Sequence, residues 1–335
     1  MMNKRIIALL VAASLLILSV ATSLFTTDFT DSFTKELEGQ LDTGTLDEKS
    51  IEGTDMSNRI ARVEVDGVIQ DTGSPSVFAQ ETYNHESMMQ QLEQIKEDKS
   101  IKGVLMVVNS PGGGVYESAE IYDKINEIKK SGKKVYVTMK NMAASGGYYI
   151  SAPADKIFAS RETLTGSLGV IMQSMNYKEL ADKYGVKFNT IKSGAHKDIM
   201  SPTKEMDAEE RKILQSLVDE SYDQFVKVIS DGRHISQQEV KKLADGRVYS
   251  GLQAQKNGLV DEIGLEEDAL KALKKDIKSN DAEVIEFAPT DSIFGENPFA
   301  AQSFVKKMMG NDDLAAIKEL MSKRQGTTPM YLYGE

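Results

Sequence analysis

The chain has no cysteine. That excludes disulfides, a thiol nucleophile, Cys-ligated zinc and lipoprotein-type acylation. It has only three histidines, His85, His196 and His234, far apart and with no His-Glu-x-x-His pairing. A histidine-rich metal site is therefore not expected, and neither a metal nor another cofactor is called for. No Gly-Lys-Ser or Gly-Lys-Thr closes a glycine-rich loop, which removes the nucleotide P-loop. An excess of positive charge is missing as well. The formal net charge is −11, which speaks against nucleic acid and anionic membrane surfaces as partners. No repeat recurs at a fixed period. What remains is an ordinary globular composition, 40% hydrophobic over 335 residues, enough for one large α/β domain or two small ones with appendages.

The first long apolar run is at the N-terminus. Lys4 and Arg5 precede Ile6 to Phe25, and about 20 helical residues span roughly 30 Å, the thickness of a bilayer's hydrocarbon core. Residues 1–25 are expected to form one N-terminal transmembrane helix, with the basic residues cytoplasmic and the rest of the chain exported. A cleaved signal peptide is the alternative, with Ser19-Val20-Ala21 as a small-x-small site. Residues 26–57 are acidic and weakly periodic and are expected to be a stalk. The main domain is expected over 58–325, followed by a flexible tail at 326–335.

Within the main domain, Ala61, Val63 and Val65 alternate with polar residues as in a strand. Val104 to Val108 is a short, wholly apolar run of the kind found in a buried parallel strand. Residues 115–130 have helical spacing, 135–139 reads as a strand, and a helix is expected from about Ala144 to Ser151. Residues 156–159, 168–172, 188–191 and 284–287 read as further strands. Helices are expected at 177–184, 207–230 and 304–324. Strands alternating with helices imply βαβ units and a layered α/β domain.

Two glycine-rich segments follow expected strands. Ser110-Pro111-Gly112-Gly113-Gly114 leaves backbone N–H groups uncovered, suited to an oxyanion hole or simply to a tight turn. Asn141-Met142-Ala143-Ala144-Ser145-Gly146-Gly147 sets a serine at a helix N-terminus, where backbone donors favour developing negative charge; a plain N-cap is the alternative. A nucleophilic serine needs a base. His196, with Asp198 near it, is one candidate. A lysine is the other, and it serves only if its pKa falls from about 10.4 toward 7. Seven lysines lie between Ser145 and Glu205, and residue chemistry alone does not choose among them.

Four segments in order resemble the signal peptide peptidase A family: Asn109 to Gly114, Ala144 to Tyr149, Thr165-Gly166-Ser167-Leu168-Gly169-Val170, and Ser193-Gly194-Ala195-His196-Lys197-Asp198. The resemblance covers residues 58 to 275, and the N-terminal anchor fits the family's short bacterial form. It implies the fold shared by the Clp protease and the crotonases, a spiral of ββα units. It also implies Ser145 as nucleophile, Lys197 as general base, Ser167 holding the lysine, and Gly112 with Gly113 as oxyanion donors. The implied activity is a serine endopeptidase that degrades remnant signal peptides and other small or unfolded peptides at the outer side of the cytoplasmic membrane. The implied assembly is a homo-oligomer that shares active sites between subunits. Two other readings are a crotonase-type acyl-CoA enzyme and a non-catalytic membrane scaffold.

Overall fold

The apolar run at 104–108 lies inside a long central strand, and the sheet is built outward from it. The computed structural model describes residues 46–72, 83–287 and 329–333. Its elements run β1 (Glu48–Glu52), β2 (Asp55–Asp66), α1 (His85–Glu97), β3 (Ile101–Ser110), β4 (Gly112–Gly114), α2 (Val115–Lys130), β5 (Lys134–Ala144) and α3 (Gly146–Ser151). They continue with β6 (Lys156–Ala159), β7 (Leu164–Gly166), α4 (Lys178–Lys183), α5 (Ala208–Arg233), α6 (Gln237–Leu243) and β8 (Val248–Ser250). The last are α7 (Gly251–Lys256), β9 (Glu262–Ile263), α8 (Glu266–Asp276), β10 (Ala282–Phe287) and β11 (Met330–Leu332).

The main sheet has the order β1-β10-β2-β3-β5-β6-β9, with β7 on β5 and β8 on β7. All its pairings are parallel except β1 with β10 and β7 with β8. The result is a mixed α/β architecture around a largely parallel sheet. Leu105 and Val107 of β3 pack with Tyr136, Phe158 and with Ala269 and Leu273 of α8. Val104, Met106 and Val108 alternate to the other face and are equally buried, so both faces are covered and the strand carries no polar face. Gly103 makes room for α8: a Cβ there would stand 3.0 Å from Leu273 Cδ1.

The neighbouring strand β5 changes partner along its length. Tyr136 to Met139 of β5 pair with β6, whereas Met142 to Ala144 pair with β7. This fork opens the end of the sheet where α3 begins.

Several expectations are corrected. Leu168 to Met172 is not a strand; the strand is the preceding Leu164–Gly166, and only Ile171 forms a bridge, to Met330. Phe188 to Ile191 is also not a strand, and both end residues are exposed. Apolar content there reflects uncovered surface rather than a sheet position. The stalk expected to reach residue 57 already contains β1 and the start of β2. Part of the expected flexible tail is strand β11, whose Tyr331 is fully buried. The expected anchor at 1–25, residues 26–45 of the stalk and the helix expected at 304–324 lie outside the described residues. Among the described residues no helix is long and apolar enough to cross a membrane.

Candidate active site

Ser145 sits at the junction of β5 and α3, at the fork. Its backbone has φ 53° and ψ −115°, a conformation that a side-chain-bearing residue adopts only under constraint. The constraint is visible in the backbone bonds. The Ser145 N–H donates to Gly166 C=O at 2.8 Å, and the Tyr149 N–H donates to Ser145 C=O at 2.9 Å. The Ser145 hydroxyl is buried and has no hydrogen-bond partner. A buried hydroxyl without a partner loses about 1–3 kcal/mol. Strain and an unsatisfied polar atom thus coincide on one serine at a helix N-terminus.

The glycine segment faces it. Gly112 has φ 108°, and a Cβ there would stand 2.6 Å from Gly146 N and 2.0 Å from the carbonyl oxygen of Tyr331. Gly113 N in turn lies 3.0 Å from where a Cβ of Gly146 would be. Glycine at both positions is what lets the strand, the helix start and the chain end meet. The Gly112 N–H donates to Ser110 Oγ at 3.1 Å in this conformation. The N–H of Gly146, adjacent to the serine and beside Gly112, is a further donor that the sequence reading did not single out.

Strand β11 lies antiparallel to β4, with Met330 opposite Gly114, Tyr331 opposite Gly113 and Leu332 opposite Gly112. On its other side Met330 exchanges both backbone hydrogen bonds with Ile171, at 2.9 and 3.0 Å. The Tyr333 N–H reaches Pro111 C=O at 2.9 Å. The Tyr331 ring stacks on Tyr149 with centroids 4.9 Å apart and tilts against Phe225 at 4.6 Å. Its hydroxyl donates to Ser221 C=O at 3.0 Å, and burial raises its pKa. Burial likewise pushes the Tyr149 phenol up to about 12. An extended peptide thus lies between a side-chain-free strand and Ile171, with one aromatic residue in a pocket.

Ser167 is brought to Ser145. The last registered pair of β5 and β7 is Ala144 with Gly166, so the two serines follow side by side at the strand ends. Ser167 also has a positive φ, 48°, fixed by its N–H donating to Arg247 C=O at 2.7 Å. Lys197 is not brought there within one chain. It is exposed, on the turn after 192, and the Ser145 hydroxyl has no hydrogen-bond partner among the described residues. Of the seven lysines between Ser145 and Glu205, four are in ion pairs: Lys156 with Glu262, Lys178 with Asp182, Lys192 with Asp198, and Lys204 with Asp198 and Glu210. Among the described residues Lys183, Lys187 and Lys197 are left without a charged partner.

Two features escaped the sequence reading. Ser118 of α2 has a buried, partnerless hydroxyl, and a Cβ on Gly146 would stand 2.8 Å from it. The available signal was a serine on the buried stripe Ser118, Ile121, Ile125, Ile128. The second is an uncovered apolar arm: Met175, Leu180, Tyr184, Phe188 and Ile191 are all exposed, Ile191 completely.

The chain is similar to known peptidases. Residues 127–280 match peptidase family S49. A protein of Enterococcus faecium named as signal peptide peptidase SppA is 45% identical over 343 residues, covering 99% of each chain. A protein of Methanocaldococcus jannaschii named as protease MJ0651 is 43% identical over 63% of this chain and 68% of its own length. Protease 4 of Haemophilus influenzae is 33% identical over 81% of this chain but only 41% of its own length.

Proposed function

The chain belongs to the signal peptide peptidase A family, peptidase family S49, and on that premise we propose that it is a membrane-anchored endopeptidase with Ser145 as nucleophile and Lys197 as general base. The observation that carries the reading is the buried, partnerless hydroxyl of Ser145 on a strained residue beside the glycine strand.

In the proposed reaction an extended peptide adds to Gly112–Gly114 as β11 does. Ser145 Oγ attacks the peptide carbonyl carbon while its proton passes to the neutral amine of Lys197. The carbonyl oxygen becomes an oxyanion, received by backbone N–H groups of the Gly112, Gly113 and Gly146 cluster. Collapse expels the amine product, which takes the proton from Lys197. Water, deprotonated by the same amine, then releases the acyl group and restores Ser145. Ser167, beside Ser145 at the strand ends, holds the lysine amine in line.

Remnant signal peptides and other short or unfolded apolar peptides are the proposed substrates. The run at 6–25 is the proposed anchor, with the catalytic domain on the outer side of the cytoplasmic membrane. The fold is read as the ββα spiral of the Clp protease. Since among the described residues no lysine meets Ser145 within one chain, the base is taken to come from a neighbouring copy. The exposed arm between 171 and 191, which precedes Lys197, is the surface through which copies join.

The test is cleavage of an apolar peptide by Ser145→Ala and Lys197→Ala. Each is expected to lose at least about a thousandfold in kcat with the fold retained. Full turnover by Lys197→Ala, with loss in His196→Ala, would make the enzyme a Ser–His protease instead.

A further inference from the structure

The turn that carries Lys197 has little apolar hold on the molecule. Residues 191–195 are exposed, and the turn's own backbone bonds are local: Lys197 N–H to Gly194 C=O at 3.3 Å and Ile199 N–H to His196 C=O at 3.1 Å. A chain of charges ties it down. Lys192 Nζ donates to Asp198 Oδ1 at 2.6 Å, and Lys204 Nζ donates to the same oxygen at 2.8 Å. Lys204 Nζ also donates to Glu210 Oε1. Glu210 is fully buried and closes the capping box of α5: its N–H donates to Asp207 Oδ1 at 2.8 Å, and its Oε2 accepts from the Asp207 N–H at 3.3 Å. The His196 ring lies on the same acids, 3.9 Å from Glu210 Oε1 and 3.8 Å from Glu209 Oε1.

The charged groups around the turn are thus Lys192 and Lys204 against Asp198, Asp207, Glu209 and Glu210, with His196 between. Hydrogen bonds from Lys192 and then Lys204 hold the Asp198 carboxyl down at about 2. Lys197, the immediate neighbour of Asp198, has no ion-pair partner among the described residues. A buried carboxylate such as Glu210 requires a counter-charge, and a lysine beside a free aspartate pairs with it and keeps its proton. Both carboxylates are already occupied here.

We propose that Lys204 is a positioning residue: by bridging Asp198 to Glu210 it fixes the Lys197 turn to the head of α5 and takes up the carboxylates that would otherwise capture the Lys197 amine. The inference rests on Lys197 being the base. Removing Lys204 leaves Asp198 with one cation, Lys192, instead of two, and the less neutralised carboxylate then draws the neighbouring Lys197 ammonium, which persists to higher pH.

The experiment measures kcat and KM for an apolar peptide with the full-length assembled enzyme across the acid limb of the pH profile. Lys204→Met is expected to move the limb's midpoint up by about one pH unit, roughly a tenfold loss at a fixed pH on the limb, with the high-pH plateau and KM near wild type. Lys204→Arg is expected to keep the wild-type midpoint, and Lys204→Met with Asp198→Asn to return to it. A folded Lys204→Met that loses activity equally at every pH, or loses none, overturns the proposal. If Lys204→Met does not fold, Lys204→Gln, which keeps a donor toward Glu210 without the charge, decides: an upward shift supports the proposal and an unmoved midpoint overturns it. Lys197→Ala runs alongside. If it keeps turnover, the base assignment and this inference fall together; if it is dead while the midpoints stay put, only the role of Lys204 falls.

Discussion

Mixing two inactive variants tests the shared site with a predicted number. Among the described residues of one chain the Ser145 hydroxyl has no hydrogen-bond partner, and Lys197 is exposed with no charged partner. If each site joins Ser145 of one subunit to Lys197 of the next, Ser145→Ala subunits still offer a lysine and Lys197→Ala subunits still offer a serine. In a head-to-tail ring assembled at random from equal amounts, half the subunits carry each intact group and neighbours are independent. About a quarter of the sites are then complete, whatever the ring size. At other ratios the activity follows the product of the two fractions, a parabola peaking at equal mixing. The assay is to dissociate both variants, mix, reassemble, and record initial rates on an apolar fluorogenic peptide. Native mass spectrometry with one variant isotopically heavy reports co-assembly. The expected peak is about 25% of wild type against parents at least about a thousandfold lower. Silence at every ratio, with mixed rings demonstrated, refutes the reasoning and gives each subunit its own complete site.

Two further outcomes are expected. Ser145→Gly removes the strained conformation and the unsatisfied hydroxyl, about 1–3 kcal/mol each, against roughly 1 kcal/mol of added freedom in the unfolded chain. The net is about 1–5 kcal/mol, so the variant's melting temperature is expected to rise by at least about 2 °C while activity is lost, and a fall in melting temperature would show that no strain is stored there. Tyr331→Ala gives up the burial of one aromatic side chain, about 1.5–3 kcal/mol, so occupancy of the glycine strand by the chain's own end drops roughly 10–100-fold. KM for a short peptide is expected to fall with kcat unchanged, and an unchanged KM would mean that β11 does not compete with substrate.

The legible parts of the fold were those whose signal is local. α2 begins and ends where Gly114 and Ser131 punctuate an apolar stripe, and β3 announces itself by an unbroken apolar run. The illegible parts depend on distant partners. All five residues of β1 are exposed, and only its backbone register with β10 makes it a strand. β11 is three residues long and exists because Gly112–Gly114, more than 200 positions earlier, bares its backbone. Periodicity reports neither. At the candidate site, Ser145 and the Gly112–Gly114 segment stood out locally because a helix start and bare glycine backbone follow strand ends, whereas Ser167 was named only through the family resemblance. The lysine was not readable, because an exposed turn takes its meaning from groups outside the chain segment. The ion chain through Lys204 and Glu210 was hidden for the same reason: its four members matter by proximity, and nothing in their spacing distinguishes them from a solvated charged face.

The receiving strand β4 consists of three glycines, and that decides what kind of discrimination the molecule exercises. A strand without side chains reads only whether a partner is extended, never which residues it carries. The outer strands do not compete for the role: β1 is fringed with glutamates and a lysine, and β9 is two residues long. Any choice of sequence falls to the Tyr149 and Phe225 pocket, one residue wide. On the proposed function, folded proteins, whose strands already have neighbours, would be passed over without a specific rejection step. On the same reading, loose chain ends and short apolar fragments would be accepted because nothing else has claimed their backbones.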